Sequence, residues 1–397
     1  MSDHPSTPAP GTALGTAPGT APGTAPVTAP GTAPVTAPVT APVTAPVPPA
    51  LVYPEPLGAA ESEAYRDLRQ EAAWFEAESQ WSSVSGAKAV EALNGLVTND
   101  VSALAVGMGQ YAVALTPKGK VVCDMYIART DAQRFMLMVR RDCAPAWLAM
   151  ARKYINPRLA TVADESAQWG TWMVYGARAA QAVVNLGTAS HTGEHPGDIT
   201  ATGLAEWPEW SHGTCTIGPA SVRLIHAPVL GALPGFVIVA DMRDANFVQA
   251  QLQASTCRHA SRAVWDIARV ESGRPAFGID MDENTIPQEA NLDTLGAISF
   301  TKGCYTGQET VARVHFRGHV NRHLRGLRAT QPLPRHARVQ DTSGKDVGDV
   351  RSTVISPRLG PIAMAMIRRE VEPGSHVMIE TPDGVLRAEV LALPFAE

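Results

Sequence analysis

The chain has 397 residues, 45% of them hydrophobic, with 33 basic and 38 acidic side chains for a net charge of −5. That length excludes a disulfide mini-protein, the near balance of charge argues against a general nucleic-acid coat, and no apolar run reaches the roughly 20 residues of a membrane span. Thirteen of the 32 prolines lie in the first fifty positions, where Thr-Ala-Pro-Gly and Thr-Ala-Pro-Val repeat almost without charge. Residues 1–50 therefore read as a disordered tail, offering neither helical periodicity nor enough apolar bulk for a core. No Lys or Arg precedes Arg66, so a basic leader is not expected and a cytoplasmic location is. The five cysteines, Cys123, Cys143, Cys215, Cys257 and Cys304, form no C-x-x-C pair and suit reduced thiols better than a disulfide frame or a resident metal site.

In chain order, Glu61 to Glu76 reads as a charged helix and Trp81 to Val84 as a short strand. Ser85 is placed to cap a helix with apolar positions Ala89, Val90 and Leu93 that ends near Asn94 and Gly95. Gln110 to Leu115, the turn Thr116-Pro117-Lys118-Gly119, and Lys120 to Ala128 read as a hairpin, with Arg134 to Val139 as a further strand. Helices around Ala144–Tyr154, Ala177–Leu186, Ala245–Ala254 and Ser261–Ser272 alternate with strands at Gly170–Tyr175, Val222–His226 and Gly235–Val239, and residues 187–212 read as an irregular insertion. Hairpins without strict βαβ order predict an α+β body over residues 51–323. From Leu324 onward, short β-prone runs divided by turn signals predict a small antiparallel barrel over 324–397.

The most informative window is Thr301-Lys302-Gly303-Cys304-Tyr305-Thr306-Gly307-Gln308-Glu309-Thr310. Two glycines allow close backbone approach, and the Lys302 charge, two residues from Cys304, is placed to favour thiolate. Taken alone, such a cysteine is more often buried and inert. Between Lys302 and Arg328 six basic residues (Lys302, Arg313, Arg317, Arg322, Arg325, Arg328) face Glu309 alone, a local +5 that suits an anionic ligand or, equally, a solvated face or an RNA contact. His315, His319 and His323 recur at intervals of four, but Gly318 interrupts any helix through them and the neighbouring arginines disfavour a cation, so no metal is expected.

The window resembles the K-G-C-Y-x-G-Q-E signature of the YgfZ-type folate-binding proteins, relatives of the T-protein of the glycine cleavage system. Arg269-Val270-Glu271-Ser272-Gly273, Phe277 to Thr285, Asn94 to Val101 and Thr116 to Lys120 are similar to other blocks of that superfamily, and Gly348 to Pro357 with Ile362-Ala363 resembles its carboxy-terminal barrel. The resemblance implies a T-protein-like body and tetrahydrofolate as cofactor. It implies that Glu271 takes the pterin, that Tyr111 contacts the folate with Arg313 and Arg322 on its anionic tail, and that Asp124 is the carboxylate of one-carbon transfer. Cys304, presented by Gly303 and Gly307 and tuned by Lys302, would supply thiol chemistry, with Tyr305, Gln308 and Glu309 completing the motif. The implied role is support of iron–sulfur cluster assembly or repair, with client or assembly proteins as partners and neither membrane nor nucleic acid expected. Two other readings stay open: a folate-dependent aminomethyltransferase using Asp124, and an RNA or protein adaptor using the basic segment. Read without the resemblance, Glu271 is a surface carboxylate at a helix end and Asp124 a strand residue facing solvent. The eight tryptophans include possible stacking partners for a pterin, although packing suffices to explain each one.

Overall fold

The computed structural model describes residues 49–190 and 197–395; the Thr/Ala/Pro-rich tail predicted at the amino terminus lies, but for its last two residues, outside the described residues. The chain starts with α1 (Ala59–Gln70), β1 (Ala73–Glu76), β2 (Ser79–Ser85), α2 (Ala89–Asn94), β3 (Gly109–Leu115), β4 (Val121–Asp131), β5 (Arg134–Arg140), α3 (Ala144–Tyr154) and β6 (Thr161–Asp164). It continues through β7 (Trp169–Tyr175), α4 (Ala179–Asn185), β8 (Thr188–Ser190), α5 (Ala201–Ala205), β9 (His212–Ile217), β10 (Ala220–His226), β11 (Gly235–Asp241), α6 (Ala245–Ala254), β12 (Arg258–His259) and α7 (Arg262–Glu271). A 3-10 turn (Pro287–Ala290) and α8 (Gln308–Arg317) lead into β13 (Arg322–Ala329), β14 (Arg338–Gln340), β15 (Asp346–Ser356), β16 (Gly360–Arg368), β17 (His376–Thr381) and β18 (Gly384–Leu391).

Two sheets, in the orders β3-β4-β5-β2-β6 and β12-β1-β7-β11-β10-β9-β8, form the body. They are built by one recipe used twice. Ser85-Gly86-Ala87-Lys88-Ala89 ends β2 and enters α2, and Tyr175-Gly176-Ala177-Arg178-Ala179 ends β7 and enters α4 in the same way. Gly86 and Gly176 both have positive φ (124° and 142°), and a Cβ on either would strike backbone: Leu159 and Ala160 for the first, Glu71 and Ala72 for the second. The place that β6 takes beside β2, at a sheet edge, is taken beside β7 by β1, from the start of the chain, with β12 added outside it. One face of each sheet is covered by helices, giving a core with Leu93, Phe135 and Trp147 in the first module and one with Val183, Leu224 and Phe236 in the second. The opposite faces meet through Trp81, Tyr126, Ile225 and Val237.

The predicted barrel is present and closed, in the order β13-β16-β15-β14-β17-β18. Its first strand begins at Arg322. Leu324, Met364 and Phe395 pack against Tyr65 and Leu68 of α1 and Ile267 of α7, so the barrel is seated on the body by apolar contact.

Three expectations change. The charged helix ends at Gln70, and Ala73–Glu76 is a buried strand, because Trp74 and Phe75 fill the two cores that flank it. Ser85 ends β2 and caps nothing; α2 starts after Lys88, once the chain has turned through Gly86. The insertion over 187–212 contains β8 and α5, with residues 191–196 of it outside the described residues.

Candidate functional site

A cleft of about 380 Å³ lies between the two modules and α7. Its floor comes from the β3/β4 hairpin. Tyr111 pairs across the ladder with Tyr126, and Asp124 pairs with Val113, so Tyr111 and Asp124 are diagonal neighbours on one face. Tyr111 Oη donates to Asp124 Oδ2 at 2.7 Å. The other carboxylate oxygen, Oδ1, is buried and has no hydrogen-bond partner. Burial first, and the Asp124 charge second, push the Tyr111 phenol well above its ordinary range, so Tyr111 is a proton donor to Asp124 at any physiological pH.

Two residues that sequence reasoning missed complete this corner. The Arg274 guanidinium lies 4.0 Å from the centroid of the Tyr111 ring, and Trp210 stacks against both Tyr111 and Tyr126. Trp210 sits at φ 64°, a conformation strained for a bulky side chain, and Tyr126 Oη donates to its carbonyl. The local signal for Arg274 was its place three residues after Glu271 in a segment already singled out; for Trp210 there was none beyond being an aromatic residue. Phe75, Trp265, Met138, Met173 and Val237 make the remaining wall largely apolar, with Arg140 and Arg262 also lining it.

Glu271 is elsewhere. Its Oε1 accepts from Tyr65 Oη (2.6 Å) and Ser356 Oγ (2.5 Å), and Arg69 and Arg358 lie within 4 Å of Oε2. It does not line the cleft. α7 turns this buried carboxylate toward α1 and barrel strand β15, which corrects the surface position read from the sequence alone. Its neighbour Arg269 is similarly engaged, donating to Asp280 Oδ2 and Ser352 Oγ at 2.7 Å each.

The Lys302–Glu309 segment packs on the two amino-terminal blocks. Lys302 Nζ donates to the carbonyls of Asn94, Val97 and Asn99 at 2.7–2.8 Å, and burial lowers its pKa to about 8. All three ammonium protons are thus used on backbone, and the expected tuning of Cys304 by Lys302 gives way to a clamp on the 94–99 loop. Gly307, at φ 82°, lets the chain touch Thr116 O and Gly119, where a Cβ would clash; Gly303 stands in open space and needs no such explanation. Tyr305 is buried with Tyr111, Val113 and Leu115, while Gln308 and exposed Glu309 start α8. Cys304 is exposed and the other four cysteines are buried. It does not line the cleft.

Arg313 is exposed on α8, and Arg322 is paired with Glu289 at 2.9 Å; neither lines the cleft. The basic segment is also weaker than its composition suggests, because Lys302 is buried, Arg322 is neutralised, and Arg328 is paired with Glu389. Among the described residues no three His, Cys, Asp or Glu side chains are set to share a metal ion, and no helix is long and apolar enough to cross a membrane.

Residues 49–302 match the GCVT N-terminal domain, and residues 322–397 match the glycine cleavage T-protein C-terminal barrel domain. The chain belongs to the T-protein family. Within that family it is 28% identical over 320 residues to an aminomethyltransferase of Saccharopolyspora erythraea, covering 79% of this chain and 83% of the relative. It is 27% identical over 322 residues to a tRNA-modifying protein YgfZ of Escherichia coli, covering 79% and 91%. The aminomethyltransferase T of the glycine cleavage system from Bartonella henselae shares the T-protein fold, with a TM-score of 0.74 over 87% of this chain and 91% of that one at 22% identity. The YgfZ-type, T-protein-like character read from the Cys304 window thus holds across body and barrel alike.

Proposed function

We propose that the chain binds tetrahydrofolate in the cleft between its two modules and, through Cys304, supports assembly or repair of iron–sulfur clusters in client enzymes. One observation carries the folate reading: Asp124 has one oxygen fixed by Tyr111 and the other buried and unpaired in an aromatic cleft. An unpaired buried acceptor costs about 1–3 kcal/mol, and a flat ring bearing N–H donors would recover it. The volume lies in the range of small-ligand clefts. When bound, tetrahydrofolate supplies a carrier for one-carbon units.

The chain's own residues have distinct tasks in this reading. Asp124 accepts a ligand hydrogen bond at Oδ1, Tyr111 fixes its orientation, Arg274 holds the Tyr111 ring, and Trp210 stacks on both Tyr111 and Tyr126. Arg140, paired with Asp142, and Arg262, paired with Glu78 and Asp266, line the cleft partly exposed, and a glutamate tail would share them with those carboxylates. The exposed Cys304 thiol, outside the cleft, meets a partner at the surface rather than the folate inside. The resemblance of the Cys304 window to the YgfZ signature supports this division.

Retention of Asp124 beside Tyr111 favours a second reading, folate-dependent aminomethyl transfer. Calorimetry with tetrahydrofolate tests the cleft, which the two readings share: the wild type should bind, and Asp124→Asn should lose about 1.5–3 kcal/mol of binding, the range for a charge-assisted hydrogen bond. No binding by the wild type would remove folate. Ammonia release from an aminomethyl-lipoyl donor that is lost in Asp124→Asn and kept in Cys304→Ser would turn the reading to an aminomethyltransferase.

A further inference from the structure

A second cavity, of about 260 Å³, opens where α8 ends against β13 and the 3-10 turn. Gln288, Asn291, Asp293, His315, His319 and His323 line it, and the folate cleft uses none of them. Gln288 is 5% exposed; its Nε2 donates to Val311 O at 2.9 Å, and its Oε1 is buried without a partner. Asn291, held in the left-handed region at φ 59°, donates its Nδ2 to Leu324 O at 2.9 Å, which leaves Oδ1 as an acceptor. Asp293 adds a carboxylate. Burial, then the Arg325 charge, hold the His323 imidazole below its ordinary pKa, so it too presents a lone pair at neutral pH.

The wall is therefore made of acceptors. The described residues set no three His, Cys, Asp or Glu side chains around one metal position, so N–H donors rather than a bare ion match it. Of the neighbouring arginines Arg322 is paired with Glu289, while Arg325 is the largest charge acting on His323, ahead of the opposing Asp293, Glu372 and Glu289. Val314 and Val320 flank the polar groups and suit an alkyl stem. His315, stacked on Phe300 at 3.6 Å between ring centroids, adds an aromatic surface at the edge.

We propose that this cavity binds a guanidinium or alkylammonium group, carried either by a free amine or by an arginine side chain of a partner. A guanidinium carries five donors in one plane, enough to satisfy Gln288 Oε1, Asn291 Oδ1 and Asp293 together.

The test is a titration of the full chain followed by the ring C–H resonances of His315, His319 and His323. Agmatine serves as the free-amine probe and N-acetyl-arginine methylamide as the side-chain probe, with phosphate and acetate as anion controls at matched ionic strength. Saturable shifts are expected with one or both cations; tighter binding of agmatine identifies a free amine, and tighter binding of the blocked arginine identifies a protein side chain. Gln288→Leu and Asp293→Asn should each weaken binding by about tenfold or more. Asp293→Asn leaves the Gln288 hold on Val311 intact, so the test stands even where Gln288→Leu fails to fold. No saturable shift with either cation up to about 10 mM, wild-type affinity in Asp293→Asn, or saturation by phosphate instead would overturn the proposal.

Discussion

Tyr111 and Asp124 act as a unit because the phenol has a single proton and gives it to a single carboxylate oxygen. The fixed oxygen sets the direction of the free one, which makes Asp124 selective for where a ligand donor sits as well as for its presence. Cys304 has the opposite setting, with a thiol at the surface that lines neither of the two cavities described above. Its isolation yields a direct test: a thiol reagent such as an aromatic disulfide should titrate one cysteine rapidly in the native protein and all five after denaturation, with the rapid equivalent missing in Cys304→Ser. Two or more rapid equivalents in the wild type would contradict the burial of the others. Lys302, two residues away, was legible as a special residue but not as a clamp, since nothing in a sequence says which three carbonyls a buried ammonium will find.

At the scale of elements, α7 joins body to barrel through Arg269 and Glu271. Arg269 reaches Asp280 and Ser352, and Glu271 reaches Tyr65 and Ser356, so two side chains of the last turn of α7 grip one barrel strand. Glu271→Gln should cost about 1–3 kcal/mol of stability in denaturant melts while leaving folate affinity unchanged, since the carboxylate is remote from the cleft. A loss of folate affinity without a loss of stability would return Glu271 to the binding site. β9 carries a second element-scale device. The His212 Nδ1 accepts from Arg223 Nη1 at 2.8 Å, and burial together with the Arg223 charge holds its pKa down to about 3. Between about 3 and its unfolded value near 6.5 the unfolded chain binds a proton that the native one does not, so native stability rises with pH across that window and is lost on acidification. Unfolding free energy should fall by on the order of a few kcal/mol from pH 6.5 to pH 4 in the wild type, and less steeply in His212→Gln. Equal slopes would show that carboxylates alone account for the loss.

For the molecule as a whole, the contact between barrel and body is apolar and shared. Leu324, Val354, Ile362, Met364, Met366 and Phe395 bury one side of a cluster whose other side is α1 and α7. A chain ended at Asn321 would leave that surface in water, so it should lack a cooperative melting transition and bind a hydrophobic dye; a sharp melt would show that the body folds alone. The repeated body was also written in the sequence, as Ser-Gly-Ala-Lys-Ala and Tyr-Gly-Ala-Arg-Ala ninety residues apart, and went unread because the two copies share backbone requirements more than side chains. Their common demand is a glycine at positive φ against the backbone that leads into β6 or β1, which becomes visible only when that segment is in place.

By itself the sequence determined the local pieces: the β3/β4 hairpin around Thr116–Lys120, the helices with apolar stripes, the barrel strands parted by turn residues, and the Cys304 window that carries the resemblance to the YgfZ type. Those follow from periodicity, turn chemistry and short motifs, all of which act within a few residues. Tertiary structure decided which of the marked residues share a site. It joined Tyr111 to Asp124, brought Arg274 and Trp210 to them from 163 and 99 residues beyond Tyr111, and sent Glu271, Lys302 and Arg322 to structural partners instead. The reason is that a charged side chain settles where its desolvation is best offset by partners, and for these residues the partners lie on elements far away in the chain.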